Sequence, residues 1–227
     1  MARAPHSSRR SRPPCPPSAL TGPLEWRYAT KRFDPDRKID PAIRSALERA
    51  LVLSPSPSGL QPWRFVVIGD AGVRERLRAV SWNQPQITEA SHLVVFAART
   101  GLTPADVERH VQHTAAVRSV PVESLAGLRT MIGGFVEQLR AAGRLDAWCD
   151  RQAYLALGTF LTSATLLGID ACPMEGIDPA AYDEILSLPA QGYHTLCVAA
   201  AGHRSPDDAC AGLAKVRFPV EEVITRV

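Results

Sequence analysis

Two pairs of basic side chains stand near opposite ends of the chain: Arg27 and Lys31, four residues apart, and Lys215 and Arg217, two apart. Those spacings put each pair on one face of a helical turn or a strand, so each pair can clasp one anion. Cations chosen blindly are more often solvated surface charges, which is the alternative for all four. A second stretch with chemical potential is LSPSPSGLQPWRFVVIGD, Leu53 to Asp70, where serines, prolines and a glycine run straight into an apolar segment. A loop so rich in Pro and Gly cannot be helical, whereas Trp63, Phe65, Val66, Val67 and Ile68 suit a sheet interior. The junction either holds polar groups at a functional site or is a plain turn before a strand.

Helices and strands that could carry these groups interleave along the chain. A helix opens at Asp40 and Pro41, an acceptor cap followed by an N1 proline, and runs through PAIRSALERALVL. Strand WRFVVIG, helix AGVRERLRAV, loop SWNQPQITEA and strand SHLVVFAA follow. Thr103 to Gly143 reads as two helices broken at Pro121, the second loosened by Gly133 and Gly134. Ala153 to Ile169 is uncharged and apolar all round, so it is expected to be buried on every side, in a protein core or a subunit interface. A membrane span is the rival, at the short limit and with Gly, Thr and Ser throughout. Strand DACPME, helix DPAAYDEILSL, strand YHTLCVAAAGH, the basic stretch LAKVRFP and the ending VEEVITRV complete the order. GxGxxG, a P-loop, HExxH and GxSxG do not occur.

With 227 residues, 45% hydrophobic and 22% charged, the chain can bury a sizeable core in one domain. Its formal charge is +3, but residues 1–24 hold Arg3, Arg9, Arg10 and Arg12 without an acid, and without those four the remainder is about −1. The basic balance therefore belongs to the tail, and no nucleic-acid partner is expected. Six of the 19 prolines lie in that stretch, so residues 1–24 read as a disordered arm ahead of a domain spanning 25–227. The arm is either solvated or binds an acidic partner. No apolar segment follows Arg9 and Arg10 as an export signal requires, so a cytoplasmic, non-membrane protein is expected. Five cysteines without CxxC fit neither a disulfide framework nor a zinc site, and Cys172 and Cys197 read as small core residues in a reducing compartment. His92, His194 and His203 flank strands without ligand spacing, and no metal is expected.

WRYATKRFD, SPSPSGLQPWRFVVI, NQPQITEASHLVVFAA, YLALGTFLTSATLLGIDACPMEGID and AGHRSPDDACAGLAKVRFPVEEVI occur in the order and roughly at the spacing of the nitroreductase family. The chain resembles the oxygen-insensitive NAD(P)H nitroreductases and related dihydropteridine reductases from about Glu25 to the C-terminus. The resemblance implies an α+β fold, a helix-flanked and mainly antiparallel sheet, assembled as an intertwined homodimer. Two FMN sites at the subunit interface and a C-terminal strand exchanged between subunits are also implied. The uncharged helix would then be the dimer core.

By matching position, Arg27, Tyr28, Ala29 and Lys31 fall where the family meets the flavin phosphate and the N1 to O2 edge, and Lys215 and Arg217 match the late pair on the phosphate. Charge-assisted donors suit a dianionic phosphate, and Arg can bind it bidentately. Pro55, Ser56, Pro57, Ser58 and Gly59 match the loop that one subunit lends to the flavin of the other. Asn83 and Gln86 match positions beside the pyrimidine end of the ring, and Pro173, Met174, Glu175 and Gly176 the segment along the flavin. There the backbone N–H near Glu175 and Gly176 is directed at N5, and Glu175 itself is a candidate general acid. Phe135 either lines the substrate pocket or packs in the core. Three departures stand out: Ala29 where Ser is common, worth roughly 0.5 to 1.5 kcal/mol if nothing replaces the hydrogen bond; Gly59 where close relatives have Asn; and Gln86 for a Lys.

The activity implied is a ping-pong cycle in which NAD(P)H gives hydride to FMN N5, leaves, and is replaced by a small planar acceptor such as a nitroaromatic or quinone. The cofactor carries the chemistry. Lys31, helped by Gln86, would stabilise negative charge at N1. The alternatives are a flavin-fold enzyme of other chemistry (flavin-cleaving, dehalogenating or ring-oxidising) and a non-catalytic FMN-binding protein.

Overall fold

The structure, a computed structural model, describes residues 14–227. Helix α1 (Ser18–Trp26) precedes α2 (Pro41–Val52), strand β1 (Trp63–Val67), helices α3 (Ala71–Ala79) and α4 (Gln86–Glu89), and strand β2 (His92–Arg99). Helices α5 (Pro104–Arg118), α6 (Ala126–Ala141) and α7 (Leu145–Leu166) lead to β3 (Asp170–Met174), α8 (Pro179–Leu186), β4 (Tyr193–Gly202) and the single turn α9 (Val220–Val223). The four strands pair in the order β1-β2-β4-β3, every pair antiparallel.

Alternation along the central strands decides what each face meets. Val94 and Phe96 of β2, with Cys197, Ala199 and Ala201 of β4, join Leu47 and Leu51 of α2 and Phe160 of α7 in one apolar cluster. Leu93 and Val95, with Val198 and Ala200, pack on the other face against Leu77 of α3, Ile87 of α4 and Tyr182 of α8. With both faces covered, a polar alternation has no solvent to face, which is why β2 is buried from His92 to Ala98. The helices start on designed caps: Asp40 accepts from the Ala42 N–H at 2.8 Å, Asp70 from Val73 at 2.8 Å, and Asp178 from Ala180 and Ala181 at 3.1 Å.

Four differences from the sequence-based expectation have physical causes. Ser18–Trp26 is helical, so order begins before residue 25, and α1 lies beside α7. Residues 1–13, the rest of the expected arm, lie outside the described residues. Gly133 and Gly134 do not interrupt α6, which is held by Ile132, Val136 and Leu139. Within one chain α7 buries a stripe instead of its whole circumference: Ala156, Leu157, Phe160 and Ala164 pack on the sheet and Ala153 is buried beside them, while Leu155 is 49% and Leu166 52% exposed. Finally, VEEVITRV forms α9 and an extended end instead of a strand, because a strand needs a neighbouring edge and none adjoins it in the single chain; Phe218, Val223 and Ile224 remain exposed. Among the described residues no helix is long and apolar enough to cross a membrane.

Candidate cofactor site

The segment after α1 separates its side chains by alternation. Arg27 is extended, with φ −70° and ψ 146°, so Trp26 and Tyr28 point to one side and Arg27 to the other. Trp26 and Tyr28 both take the Arg204 guanidinium on their ring faces, at 4.5 and 4.7 Å from the centroids. Arg204 also donates through Nε to Asp170 Oδ1 at 2.8 Å, which fixes this segment to the start of β3. One residue on, Ala29 bridges Ala171 in parallel along the free edge of β3. Pro173 in this edge strand removes an N–H that the sheet does not use.

Arg27 lines a cleft of about 470 Å³ whose walls also include Glu25, Tyr28, Ala29, Pro173, Lys215 and Arg217. The early and late basic residues, almost the whole chain apart in sequence, meet there. Lys215 Nζ donates to the Arg27 carbonyl. The two guanidiniums find only neighbouring backbone: Arg27 Nη2 reaches the Tyr28 carbonyl at 3.4 Å, and Arg217 Nη1 the Val216 carbonyl at 2.6 Å. Among the described residues, neither Arg27, Lys31, Lys215 nor Arg217 makes an ion pair. Burial, then the field of Arg217, lowers the pKa of Arg27. Burial, then Arg217 and Arg27, lowers that of Lys215. Like charges held this close are relieved by an anion.

Lys31 is exposed and is not among the residues lining this cleft, but its field and that of Arg27 both reach the Cys172 thiol, whose pKa burial nevertheless raises. Gln86, buried at the start of α4, faces the same thiol. Arg27 Nε, Thr30 Oγ1 and Gln86 Oε1 are buried without a hydrogen-bond partner. Each is a polar atom whose desolvation is uncompensated in the chain alone.

Beyond β3, Glu175 and Gly176 turn beneath the loop between α3 and α4. Gln84 Nε2 donates to the Gly176 carbonyl at 2.8 Å. A Cβ at Gly176 would stand 2.8 Å from two ring atoms of Trp82, so the absent side chain lets the indole lie on the backbone. Trp82 and Asn83 both have positive φ, 50° and 58°, and Trp82 is 81% exposed. Asn83 is exposed beside it. On the other side, Tyr154 of α7 donates its hydroxyl to Glu175 Oε1 at 2.8 Å, and burial followed by that bond raises the phenol's pKa. The Glu175 carboxylate is thus engaged by a donor.

Three expected contributors stand elsewhere within one chain. Pro55, Ser56, Pro57, Ser58 and Gly59 do not line the cation cleft. Their turn is built on Ser58 (φ 57°), Gly59 (φ 70°) and Gln61 (φ 48°), with Ser56 Oγ accepting from the Gln61 N–H at 2.9 Å. Phe135 packs edge-on against Trp148, ring centroids 5.6 Å apart, inside the cluster under α5 and α6, and so does not reach the cleft from its own chain. Met174 points into the core beneath α8, leaving only its backbone available. Among the described residues no group of three or more His, Cys, Asp or Glu could hold a metal.

Sequence reasoning missed Asp208, Arg204, Trp82, Gln84 and Tyr154. Apart from the Cys210 N–H on Asp208, their partners lie 21 to 180 positions away, and only Trp82, an aromatic in a polar turn, carries a local signal.

Known proteins with the same pattern bear on this arrangement. The Nitroreductase family profile matches residues 24–203, so Lys215 and Arg217 lie beyond the matched stretch. The oxygen-insensitive NAD(P)H nitroreductase of Salmonella typhimurium is 35% identical over 208 residues, covering 88% of this chain and 96% of that protein. The ydfN structure from Bacillus subtilis has a TM-score of 0.81 at 20% identity, covering 92% of this chain and 99% of that one. A protein of Exiguobacterium sibiricum crystallised in complex with FMN has a TM-score of 0.77 at 20% identity, over 92% and 97% of the two chains. On the profile and the Salmonella relative together, the chain belongs to the nitroreductase family, a family of oxidoreductases.

Proposed function

We propose that the protein is an FMN-dependent oxidoreductase that draws electrons from NAD(P)H and delivers them to a small planar acceptor such as a nitroaromatic or quinone. The observation that carries this reading is the convergence of Arg27, Lys215 and Arg217 in one cleft where, among the described residues, none of the three is ion-paired, although Glu25 also lines the cleft. A dianionic phosphate fits that donor set, and the orphaned Arg27 Nε and Gln86 Oε1 await a polar ligand. When bound, FMN supplies hydride acceptance and electron delivery, which no side chain here could supply.

The chain's own residues bind and orient. Arg27, Lys215 and Arg217 hold the phosphate, and Lys31 places a cation where negative charge accumulates on reduction. Gln86 and Asn83 offer carboxamides, able both to donate and to accept, to a ring edge. Gly176 lets the Trp82 indole lie on the backbone after β3, and Tyr154 keeps the Glu175 carboxylate turned to its hydroxyl. Trp82 provides a flat apolar face for an aromatic acceptor. Substituting Trp82→Ala should raise KM for a nitroaromatic about fivefold with kcat little changed, corresponding to roughly 1 kcal/mol of lost stacking; an unchanged KM in steady-state assays refutes that role.

A homodimer completes the reading. Exposed Leu155 and Leu166 on α7 and the unpaired apolar C-terminus fit a second copy, with exchange of the terminal strand and loan of the Pro55–Gly59 loop across the interface. Introducing a carboxylate at the centre of that face, Leu155→Glu, should convert the dimer to a monomer at micromolar concentration and release the flavin, since an unpaired buried charge is strongly disfavoured. Sedimentation velocity reads this directly: a variant still dimeric and yellow contradicts it. Free buried thiols at Cys149, Cys172 and Cys197 fit a reducing compartment such as the cytoplasm.

The first test is chemical identification of the cofactor. Acid release from the purified protein should yield FMN, one per chain; a colourless protein that ignores added FMN refutes the proposal. Initial rates should give the parallel double-reciprocal lines of a ping-pong cycle.

A further inference from the structure

Asp208 is 4% exposed, yet its two oxygens accept four hydrogen bonds. Oδ2 takes the Tyr28 hydroxyl at 2.8 Å, the Lys31 N–H at 2.8 Å and the Arg32 N–H at 3.2 Å. Oδ1 takes the Cys210 N–H at 3.0 Å. Three of these donors come from the early basic segment and the fourth from the chain leading to the late one. Around this carboxylate the two segments are laced together: Ser205 N–H donates to the Arg32 carbonyl and Asp34 N–H to the His203 carbonyl, both at 2.9 Å. The Ala211 N–H then donates to the Asp208 carbonyl at 3.0 Å, starting the turn from which Lys215 and Arg217 follow.

We propose that Asp208 is a positioning residue for phosphate recognition: its carboxylate fixes the early basic segment relative to the late one, so that Arg27, Lys215 and Arg217 converge on one phosphoryl group. This rests on the FMN reading above. Burial alone would raise the pKa of this carboxyl, but the Lys31 and Cys210 N–H groups, the Tyr28 hydroxyl and the Arg32 N–H hold it below its ordinary value, so it stays ionised at neutral pH. An anion beside a phosphate site repels the ligand by its charge and can favour it only through geometry. Removing the charge therefore has opposite consequences under the two roles, which makes the assignment testable.

In Asp208→Asn the shape is retained, but an N–H₂ replaces an acceptor that inward-pointing donors require. FMN and riboflavin, which differ by the phosphate, are titrated by fluorescence quenching against the full-length flavin-free wild type, Asp208→Asn, and Arg217→Ala as the reference. The expected result is a loss of about tenfold in FMN affinity with riboflavin within about twofold, so that the preference for FMN collapses. Unchanged or tighter FMN binding overturns the proposal, because the carboxylate then acts only as a charge. Equal losses for both flavins also overturn it, since Asp208 then merely supports the fold. A wild type with no preference for FMN, or an Arg217→Ala variant that keeps it, refutes the phosphate cleft itself and the proposal with it. If circular dichroism finds Asp208→Asn unfolded, Tyr28→Phe replaces it: the preference should fall about threefold, and no change overturns the assignment.

Discussion

Replacing Arg217 by alanine should weaken FMN binding by about 1.5 to 3 kcal/mol, between tenfold and a hundredfold or more in Kd. In the flavin-free chain its guanidinium donates to the adjacent Val216 carbonyl and raises no ion pair among the described residues, so truncation breaks no tertiary bond. It also lowers the pKa of Arg27 and Lys215 by repulsion, so its removal relieves both of them. Both effects make the variant fold as well as the wild type. The loss should therefore appear in the cofactor complex alone, as charge-assisted bonds to phosphate that are no longer formed. Flavin titration at fixed ionic strength measures it, and thermal unfolding of the flavin-free form should move by less than the flavin-loaded form. An unchanged Kd places the phosphate elsewhere.

The second large effect is on stability in acid. His92 opens β2 with its side chain buried; burial first, then the fields of Arg44 and Arg74, lower its pKa from 6.5 to about 4. Arg74 is itself buried, donating to the carbonyls of Ile68, Ala90 and Ser91. Glu48 Oε1 lies 3.6 Å from His92 Nε2, but it is half exposed and too distant for a hydrogen bond, so it does not offset the two arginines. The folded state keeps this imidazole neutral while the unfolded chain protonates it below pH 6.5. Stability therefore falls as the pH drops from 6.5 towards 4, and levels off for this group once the folded form also takes up the proton. At pH 4.5 the contribution amounts to about 2.5 kcal/mol. Urea unfolding at pH 7 and pH 4.5 should show that difference between wild type and His92→Gln; equal acid losses in the two proteins contradict it.

The sequence was most informative where a residue's role is local. Asp40, Asp70 and Asp178 announce helix starts, and the short, near-continuous apolar runs of β2 and β4 announce buried strands, because capping and local apolar composition are decided within a few residues. The pairing of Arg27 with Lys215 and Arg217 was legible only through the family pattern, since no local rule joins residues so far apart. Asp208 was not legible at all. An aspartate in SPDDACAG looks like a turn residue, and its role depends on three donors that the fold delivers from positions 28 to 32.

Helix α7 teaches a related lesson. Its composition predicts burial on every side, and one chain buries only the stripe from Ala153 to Ala164. The other side carries exposed leucines, Leu155 and Leu166, which the composition alone did not foretell. The Pro55–Gly59 loop was legible as a turn, because its geometry is closed within the chain by the Ser56 hydroxyl and the positive-φ residues.

The most direct measurement is anaerobic stopped-flow mixing of the flavin-loaded protein with NADH or NADPH, followed at the main visible flavin band. The account predicts rapid bleaching by at least one of the two nucleotides and recovery of the band when a nitroaromatic or quinone is added. A bound flavin that neither nucleotide bleaches would contradict it and favour a flavoprotein of other chemistry.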